Sequence, residues 1–433
     1  MSILDVVNWI HISDLHFGYS EGVATRIFHD EAADYLCEYF KSVKQTPEYL
    51  FITGDIIFPK NNKRKITEHY ENAKIFVLEI IQKLGISPKN VFIVPGNHDV
   101  SGEGLRFKTA QHIRAVGNYD FVRGEVSPSL NNEWKNLKPR KQFIDFYKDI
   151  RGEAFHCGHF LFSEKYVDIL CLDTSLLSIG SKEDNNNLFI GSNKVMDVLE
   201  HTEKEKPKIV LAHHPLSFMK RMEHSNLVRM FVKRNVFAYF YGHAHSLGLE
   251  LPTVLGNPDV PSSIDAICCP THINKSAPYG MATVIGLVTG NYDISKEHGV
   301  ATYHIWSIGS TPVKPELIDV PLCKKNKNEI EILEKTKEKI INTIESNFEN
   351  APYSLTEKVS NLFKEGMAQL SELAKKQLQS LKAEILITVN TPMGDTSGGR
   401  AVEEIEVGGG NQTDSENLTS VEKQLRIIKE KNL

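Results

Sequence analysis

Up to about residue 310 the chain switches repeatedly between two rhythms. Short apolar, β-rich runs alternate with longer stretches whose apolar residues recur every three or four positions. Residues 6–12 form the first such run. Ile27, Ala32, Leu36 and Tyr39 or Phe40 then mark one face of a helix over about 24–42. A second run spans 49–53, a helix over 67–84 closes at Gly85, and a third run spans 91–94. Strand, crossover helix, strand, repeated, predicts a mainly parallel sheet with helices packed outside it. Residues 100–150 break the rhythm: they are polar, carry Tyr119, Pro128, Trp134 and Pro139, and predict a helical insertion or cap. Strands resume over 166–172, 209–212 and 236–241, with shorter ones predicted over 266–269, 282–288 and 301–308.

After Pro315 the texture changes. Ile330, Leu333, Ile340, Ile341, Ile344 and Phe348 fall on one helical face, and a break containing Pro352 follows. Ser354-Leu355-Thr356-Glu357 is a capping-box pattern. Beyond it Phe363, Met367, Leu370, Ala374, Leu378, Leu381 and Ile385 keep close to a heptad seam. Residues 313–388 are therefore expected to form a helical hairpin arm, docked on the protein's own core or on a partner. Residues 389–433 predict a flexible linker and a short terminal helix marked by Leu418, Val421, Leu425 and Ile428. A homo-oligomer or protein-partner contact is expected through residues 326–388 and that last helix.

Composition changes this picture little. Of 433 residues 41% are hydrophobic and 24% charged, as in ordinary globular proteins. No segment approaches the roughly 20 apolar residues of a membrane span, so no membrane partner is expected. With 50 basic and 55 acidic residues the net charge is -5, which excludes a bulk basic surface for nucleic acid but leaves room for a local patch. The 6 cysteines are scattered without a C-x-x-C pair, and the N-terminus lacks a signal-peptide pattern. A reducing, cytoplasmic setting is expected.

The chemistry sits where the apolar runs end. Five segments put metal-competent residues at the carboxyl end of a predicted strand: Asp14-x-His16, Gly54-Asp55, Gly96-Asn97-His98-Asp99, His213-His214-Pro215 and Gly242-His243-x-His245. In open α/β sheets ligand sites gather beyond those ends, so the five would converge on one edge. Their carboxylates, imidazoles and single carboxamide make an oxygen–nitrogen set that suits first-row divalent metals. No thiolate takes part, which argues against a structural zinc knot. Each piece alone carries little weight; the weight lies in all five occurring in order.

These segments resemble the calcineurin-like metallophosphoesterase superfamily, whose pattern is D-x-H, G-D, G-N-H-D/E, H and G-H-x-H. The resemblance covers about residues 6–308 within a domain expected over 1–312. It implies an α/β fold: a four-layer sandwich of two mixed β-sheets flanked by helices. It further implies that Asp14, His16 and His245 hold one metal, Asn97, His213 and His243 hold another, and Asp55 bridges both. The expected cofactor is two divalent ions, Mn²⁺ first and Fe, Zn or Mg otherwise. Two such ions could share a hydroxide that attacks phosphorus in line. His98 matches the catalytic histidine, as general acid or as donor to a phosphoryl oxygen, with a loop-fixing role as the bland alternative. His213 rather than His214 is the ligand because the family's ligand stands two residues before the proline; the swapped assignment stays open. Many members carry an acid three positions after the bridging aspartate, to orient the catalytic histidine. Here that position is Phe58.

The openings Ser13-Asp14-Leu15-His16-Phe17-Gly18, His213-His214-Pro215 and Asp173-Thr174-Ser175 look most like the bacterial cyclic-nucleotide phosphodiesterase branch. The leading expectation is a phosphodiesterase on a nucleotide or nucleic acid. The alternatives are a nuclease resembling the double-strand-break repair subfamily, working in a multi-subunit complex, and an assembly subunit that keeps only the fold. His272, after Cys268-Cys269-Pro270-Thr271, could touch substrate or a metal ligand, or sit in a plain loop, and Lys275 and Tyr279 could touch a phosphate or base. Phe155-His156-Cys157-Gly158-His159 predicts a strand and turn rather than a zinc fragment. His11 is expected in the core.

Overall fold

The computed structural model describes residues 6–19, 23–59, 65–100, 104–116, 137–245, 248–250, 264–272, 285–306 and 315–323. The predicted arm and terminal helix, residues 326–388 and beyond, lie outside the described residues, as do Lys275 and Tyr279.

The N-terminal alternation folds as expected: β1 (Val6–Ile12), α1 (Val23–Val43), β2 (Tyr49–Ile52), α2 (Ile66–Leu84) and β3 (Val91–Ile93). β1 pairs β2 and β2 pairs β3 in parallel. In α2 the buried Tyr70, Ala73, Val77 and Ile80 recur at helical spacing. Gly85 ends that helix in the left-handed region at φ 68°. Two helices follow, α3 (Gly104–Val116) and α4 (Lys141–Arg151).

The second half of the chain builds β4 (Phe160–Ser163), β5 (Asp168–Cys171), α5 (Ser192–Glu200), β6 (Lys208–Leu211), α6 (Arg221–Lys233), β7 (Val236–Tyr241), β8 (Gly248–Glu250) and β9 (Asp265–Cys268). Last come β10 (Ile285–Asp293), β11 (His298–Trp306) and β12 (Glu316–Cys323). The strands make two six-stranded sheets, ordered β12-β11-β10-β1-β2-β3 and β4-β5-β6-β7-β9-β8. Both are mixed: β10 lies antiparallel to β1, and β4 and β8 are antiparallel edges on the parallel run β5-β6-β7-β9.

Strand pleating sorts the core into three apolar layers. Ile10, Ile12, Leu50, Ile52 and Ile93 face α1, α2 and α4. Trp9, Phe51 and Phe92 point the other way and meet Ile169, Leu211 and Phe240 between the sheets. Leu170, Val210 and Tyr239 face α5 and α6. This is the four-layer sandwich with helices on both outer faces.

Two boundaries differ from the sequence reading. α4 falls in the predicted insertion, yet Phe143, Phe146, Tyr147 and Ile150 bury it in the first sheet's helical layer. It is a core element, because these four repeat at helical spacing. The first sheet also extends past residue 312, since β12 pairs β11 from Glu316↔Ile305 to Cys323↔His298. The stretch assigned to the arm thus begins with an edge strand, too short for its rhythm to stand out.

Candidate metal centre

The loops after β1, β2, β3, β6 and β7 meet at one edge of the sandwich. Backbone hydrogen bonds lash them together: Asp14 N–H to Gly54 C=O, His16 N–H to Asp55 C=O and Gly242 N–H to His213 C=O, each 3.0 Å. Asp14 (φ 53°), His16 (48°), Asp55 (51°), His243 (65°) and His245 (51°) all take the left-handed backbone region. Side chains beyond glycine adopt it only where the surroundings hold them there. Two glycines of the motifs make the close approach possible. A Cβ at Gly96 would meet Asp55, and one at Gly242 would meet Ser13 and Asp14.

The side chains form two groups with Asp55 between them. In the first, His245 Nε2 lies 3.0 Å from Asp14 Oδ1 and 3.0 Å from His16 Nε2. In the second, Asn97 Oδ1 lies 3.0 Å from His213 Nε2 and 2.9 Å from His243 Nδ1. Asp55 Oδ2 is 3.9 Å from His16 Nε2 and 3.7 Å from His98 Nε2, while Oδ1 is 3.4 Å from His213 Nε2. Ring nitrogens and oxygens thus converge with their lone pairs inward, an arrangement a cation relieves. Asp14, His16 and His245, and likewise Asp14, Asp55 and His213, could each hold a metal ion.

Second partners aim these candidate ligands. The carbonyl of Thr53 accepts from His213 Nδ1 at 2.7 Å, which aims Nε2 at the centre. The main-chain N–H of His243 donates to Asp14 Oδ2 at 2.9 Å, and that of His98 to Asp55 Oδ1 at 2.8 Å. Burial opposes charge on Asp14, but His245 and His16 override it and hold its carboxyl well below the usual range. Burial would also lower His213, yet Asp55 raises it to about 9. Burial pushes His16 down to about 4 and, with His213 adding to it, His243 to about 3.

Three neighbours behave differently. The hydroxyl oxygen of Thr174 accepts from the N–H groups of His213 and His214 at 3.3 and 3.1 Å, so its proton is left for His214 Nδ1 at 3.0 Å. His214 therefore carries its own proton on Nε2, a nitrogen without a hydrogen-bond partner. His213, His214 and His243 also come close enough together to hold an ion. His272 is buried, but its ring turns away against Phe28 at 4.4 Å, and its main chain N–H donates to Asp14 C=O. Asp99 also turns from His98, accepting from Tyr70 Oη at 2.8 Å and from the N–H groups of Ile56 and Gly96. Phe58 packs on the His98 ring instead, at 4.8 Å. His159 bonds Ile190 C=O and the Asp173 N–H, a structural role. The sequence assigns no role to Thr174 within its Asp173-Thr174-Ser175 triplet, and carries no signal for Arg140, whose Nε donates to His98 C=O at 3.3 Å.

Fold and donor set together define a two-sheet αββα protein with a candidate dinuclear metal centre at one edge. A family model for calcineurin-like phosphoesterases matches residues 8–247, more than half of the chain, and the chain belongs to that family. Its superfamily is one of metal-dependent phosphoester hydrolases. The chain is 27% identical over 254 residues to the uncharacterized metallophosphoesterase-like protein YydB of Bacillus subtilis. That match covers 57% of this chain and only 50% of YydB, half of the relative's length. Among solved structures, purple acid phosphatase PPD1 from yellow lupin seeds is 12% identical at TM-score 0.41, covering 75% of this chain and 54% of that one. Vps29 of Entamoeba histolytica, complexed with zinc, is 11% identical at TM-score 0.31, covering 72% and 99%. Among the described residues no helix is long and apolar enough to cross a membrane.

Proposed function

We propose that the protein is a dinuclear metal-dependent phosphodiesterase acting on a nucleotide or nucleic acid. The supporting observation is the convergence on Asp55, whose two oxygens face His16 and His98 on one side and His213 on the other. In this reading Asp14, His16 and His245 hold one ion, Asn97, His213 and His243 the other, and Asp55 spans both. The oxygen–nitrogen set suits manganese first, then iron, zinc or magnesium. Two divalent ions held by these residues would supply Lewis-acid activation of a water and offset charge growing on the phosphoryl oxygens.

The chain's own groups supply the rest. Asn97 offers a neutral oxygen, so the second position keeps more of its positive charge than the first. His98, with 26% of its side chain exposed, is partly open to solvent and can hand a proton to the leaving oxygen. Its main chain is hydrogen-bonded to Asp55, so the acid and the bridging carboxylate keep one geometry. Phe58 against its ring leaves that imidazole oriented by packing rather than by an acid. Among the described residues Cys37, Cys157, Cys171, Cys268 and Cys269 are free thiols, which fits a cytoplasmic setting.

The full chain, loaded with Mn²⁺, should be assayed on bis(p-nitrophenyl) phosphate, p-nitrophenyl phosphate, cyclic nucleotides and labelled DNA, with bound metal measured alongside. Two ions per chain and diester cleavage abolished by chelation are expected. Cleavage of the monoester alone, or full activity in metal-free protein, overturns the reading. Preference for DNA over cyclic nucleotides selects the nuclease form.

A further inference from the structure

The open side of the centre carries a cation with no ion-pair partner among the described residues. Asp14, His16, Asp55 and His213 have side chains no more than 2% exposed, whereas His98 is 26% and His245 19% exposed. His98 and His245 thus stand on the open side of the centre. Arg140, at the start of α4, is fixed at that rim twice: its N–H donates to Asp99 C=O at 2.9 Å and its Nε to His98 C=O at 3.3 Å. Among the described residues the two terminal amino groups of this half-buried guanidinium have no hydrogen-bond or carboxylate partner.

The charges around it are mixed, since Asp173 and Asp184 act on the same Arg106 that repels Arg140. Lys138, two residues earlier, is exposed and likewise forms no ion pair among the described residues. The guanidinium of Arg106, buried on α3, is close enough to act on Arg140 as a like charge. The amino groups of Arg106 donate to the carbonyls of Ser175, Leu176 and Ser178, which holds that guanidinium in place. A planar donor fork, held at Nε and open at both amino groups, matches a phosphate's paired oxygens. In a chain of net charge -5 this is a local basic feature beside the candidate acid.

We propose that Arg140 binds a second phosphate of the substrate, the one next to the phosphate being cleaved, and so selects substrates with more than one phosphate. This rests on the phosphodiesterase reading and narrows it. A second phosphate can come from the next nucleotide of a strand or from a nucleoside diphosphate, and the two differ in where it sits.

Equilibrium binding decides, with calorimetry on the Mn²⁺-loaded full chain. The ligands are thymidine 5′-phosphate, thymidine 3′,5′-bisphosphate and thymidine 5′-diphosphate, each with wild type, Arg140→Gln and Arg140→Lys. A lost charge-assisted hydrogen bond is worth about ten-fold or more in affinity. Wild type should bind a two-phosphate ligand at least about ten-fold tighter than the monophosphate, Arg140→Gln should lose that ratio, and Arg140→Lys should regain part of it. Preference for the bisphosphate assigns a strand, and for the diphosphate a free nucleotide. No preference in wild type overturns the proposal. So does an equal loss on all ligands in Arg140→Gln, which would leave Arg140 only the task of holding the His98 loop. Hydrolysis of bis(p-nitrophenyl) phosphate, followed separately, tests the underlying reading: its absence would sink the phosphodiesterase while the binding ratios still decide Arg140.

Discussion

His304, in the middle of β11, is as buried as His213, at the end of β6. Both rings are fully hydrogen-bonded, but to opposite kinds of partner. His304 meets two neutral hydroxyls, Tyr35 at 2.7 Å and Thr289 at 2.8 Å, and burial pushes its pKa down to about 3. His213 meets a carbonyl at 2.7 Å, a carboxylate at 3.4 Å and a carboxamide at 3.0 Å, and is raised to about 9 despite its burial. His11, inside β1, follows the first pattern: it bonds the Thr53 hydroxyl at 2.8 Å and is lowered to about 3. Burial therefore does not make a histidine a ligand. What separates the two regions is whether oxygen and nitrogen lone pairs converge on the ring, and strands achieve that only where they end.

The sharpest way to break this comparison is to remove the carboxylate at its centre. Asp55→Asn keeps the shape and the hydrogen bond from His98 N–H but removes the negative charge that both groups share. Activity on bis(p-nitrophenyl) phosphate under saturating metal should fall by about 10²–10³-fold or more, as when a preorganised electrostatic partner is lost. A variant retaining about a tenth of the wild-type rate would show that Asp55 does not bridge.

A second test splits the strand-end histidines from one another. His245→Ala should remove one ion and His243→Ala the other, so elemental analysis of each variant should find one ion per chain where the wild type holds two. His304→Gln should keep both. Two ions in either alanine variant, or loss of metal from His304→Gln, would erase the distinction between the regions.

Much of this was legible in the sequence because the chemistry stands at strand ends. Asp14, His16, Asp55, Asn97, His213, His243 and His245 each follow an apolar run, and a parallel sheet brings such ends to one edge. His11 could be told from His16 because it falls inside the run. The same logic left His272 open between a substrate or metal-ligand contact and a plain loop: it too follows a strand, but its ring packs on Phe28 and Phe76, far away in the chain, while its main-chain N–H donates to Asp14 C=O. β4, β8 and β12 were missed because short antiparallel edges take their identity from a neighbouring strand rather than from their own residues. Thr174 and Arg140 were invisible for a related reason, since their partners at residues 213–214 and 98 are set by tertiary contact alone.

The smallest effect concerns the interior histidines, and its sign follows from their burial. An unfolded histidine titrates near 6.5, whereas folded His304 and His11 sit near 3 and His29 and His159 near 4. Below pH 6.5 the unfolded chain takes up protons that these folded rings refuse. Their contribution to stability is therefore intact above pH 6.5 and is lost progressively as pH falls toward 4 and then 3. Each fully buried ring can cost up to ~1.4 kcal/mol per pH unit in that window. His304→Gln keeps a donor and an acceptor for Tyr35 and Thr289 but cannot be protonated. It should be less stable than wild type at pH 7.5, because the fit of the ring is lost, and should close part of that gap by pH 5.5. Urea midpoints of chelated wild type and variant at the two pH values measure this, and chelation removes metal occupancy as a variable. Parallel pH dependences would mean that His304 is protonated in the folded state, and that the interior and strand-end histidines differ less than their partners imply.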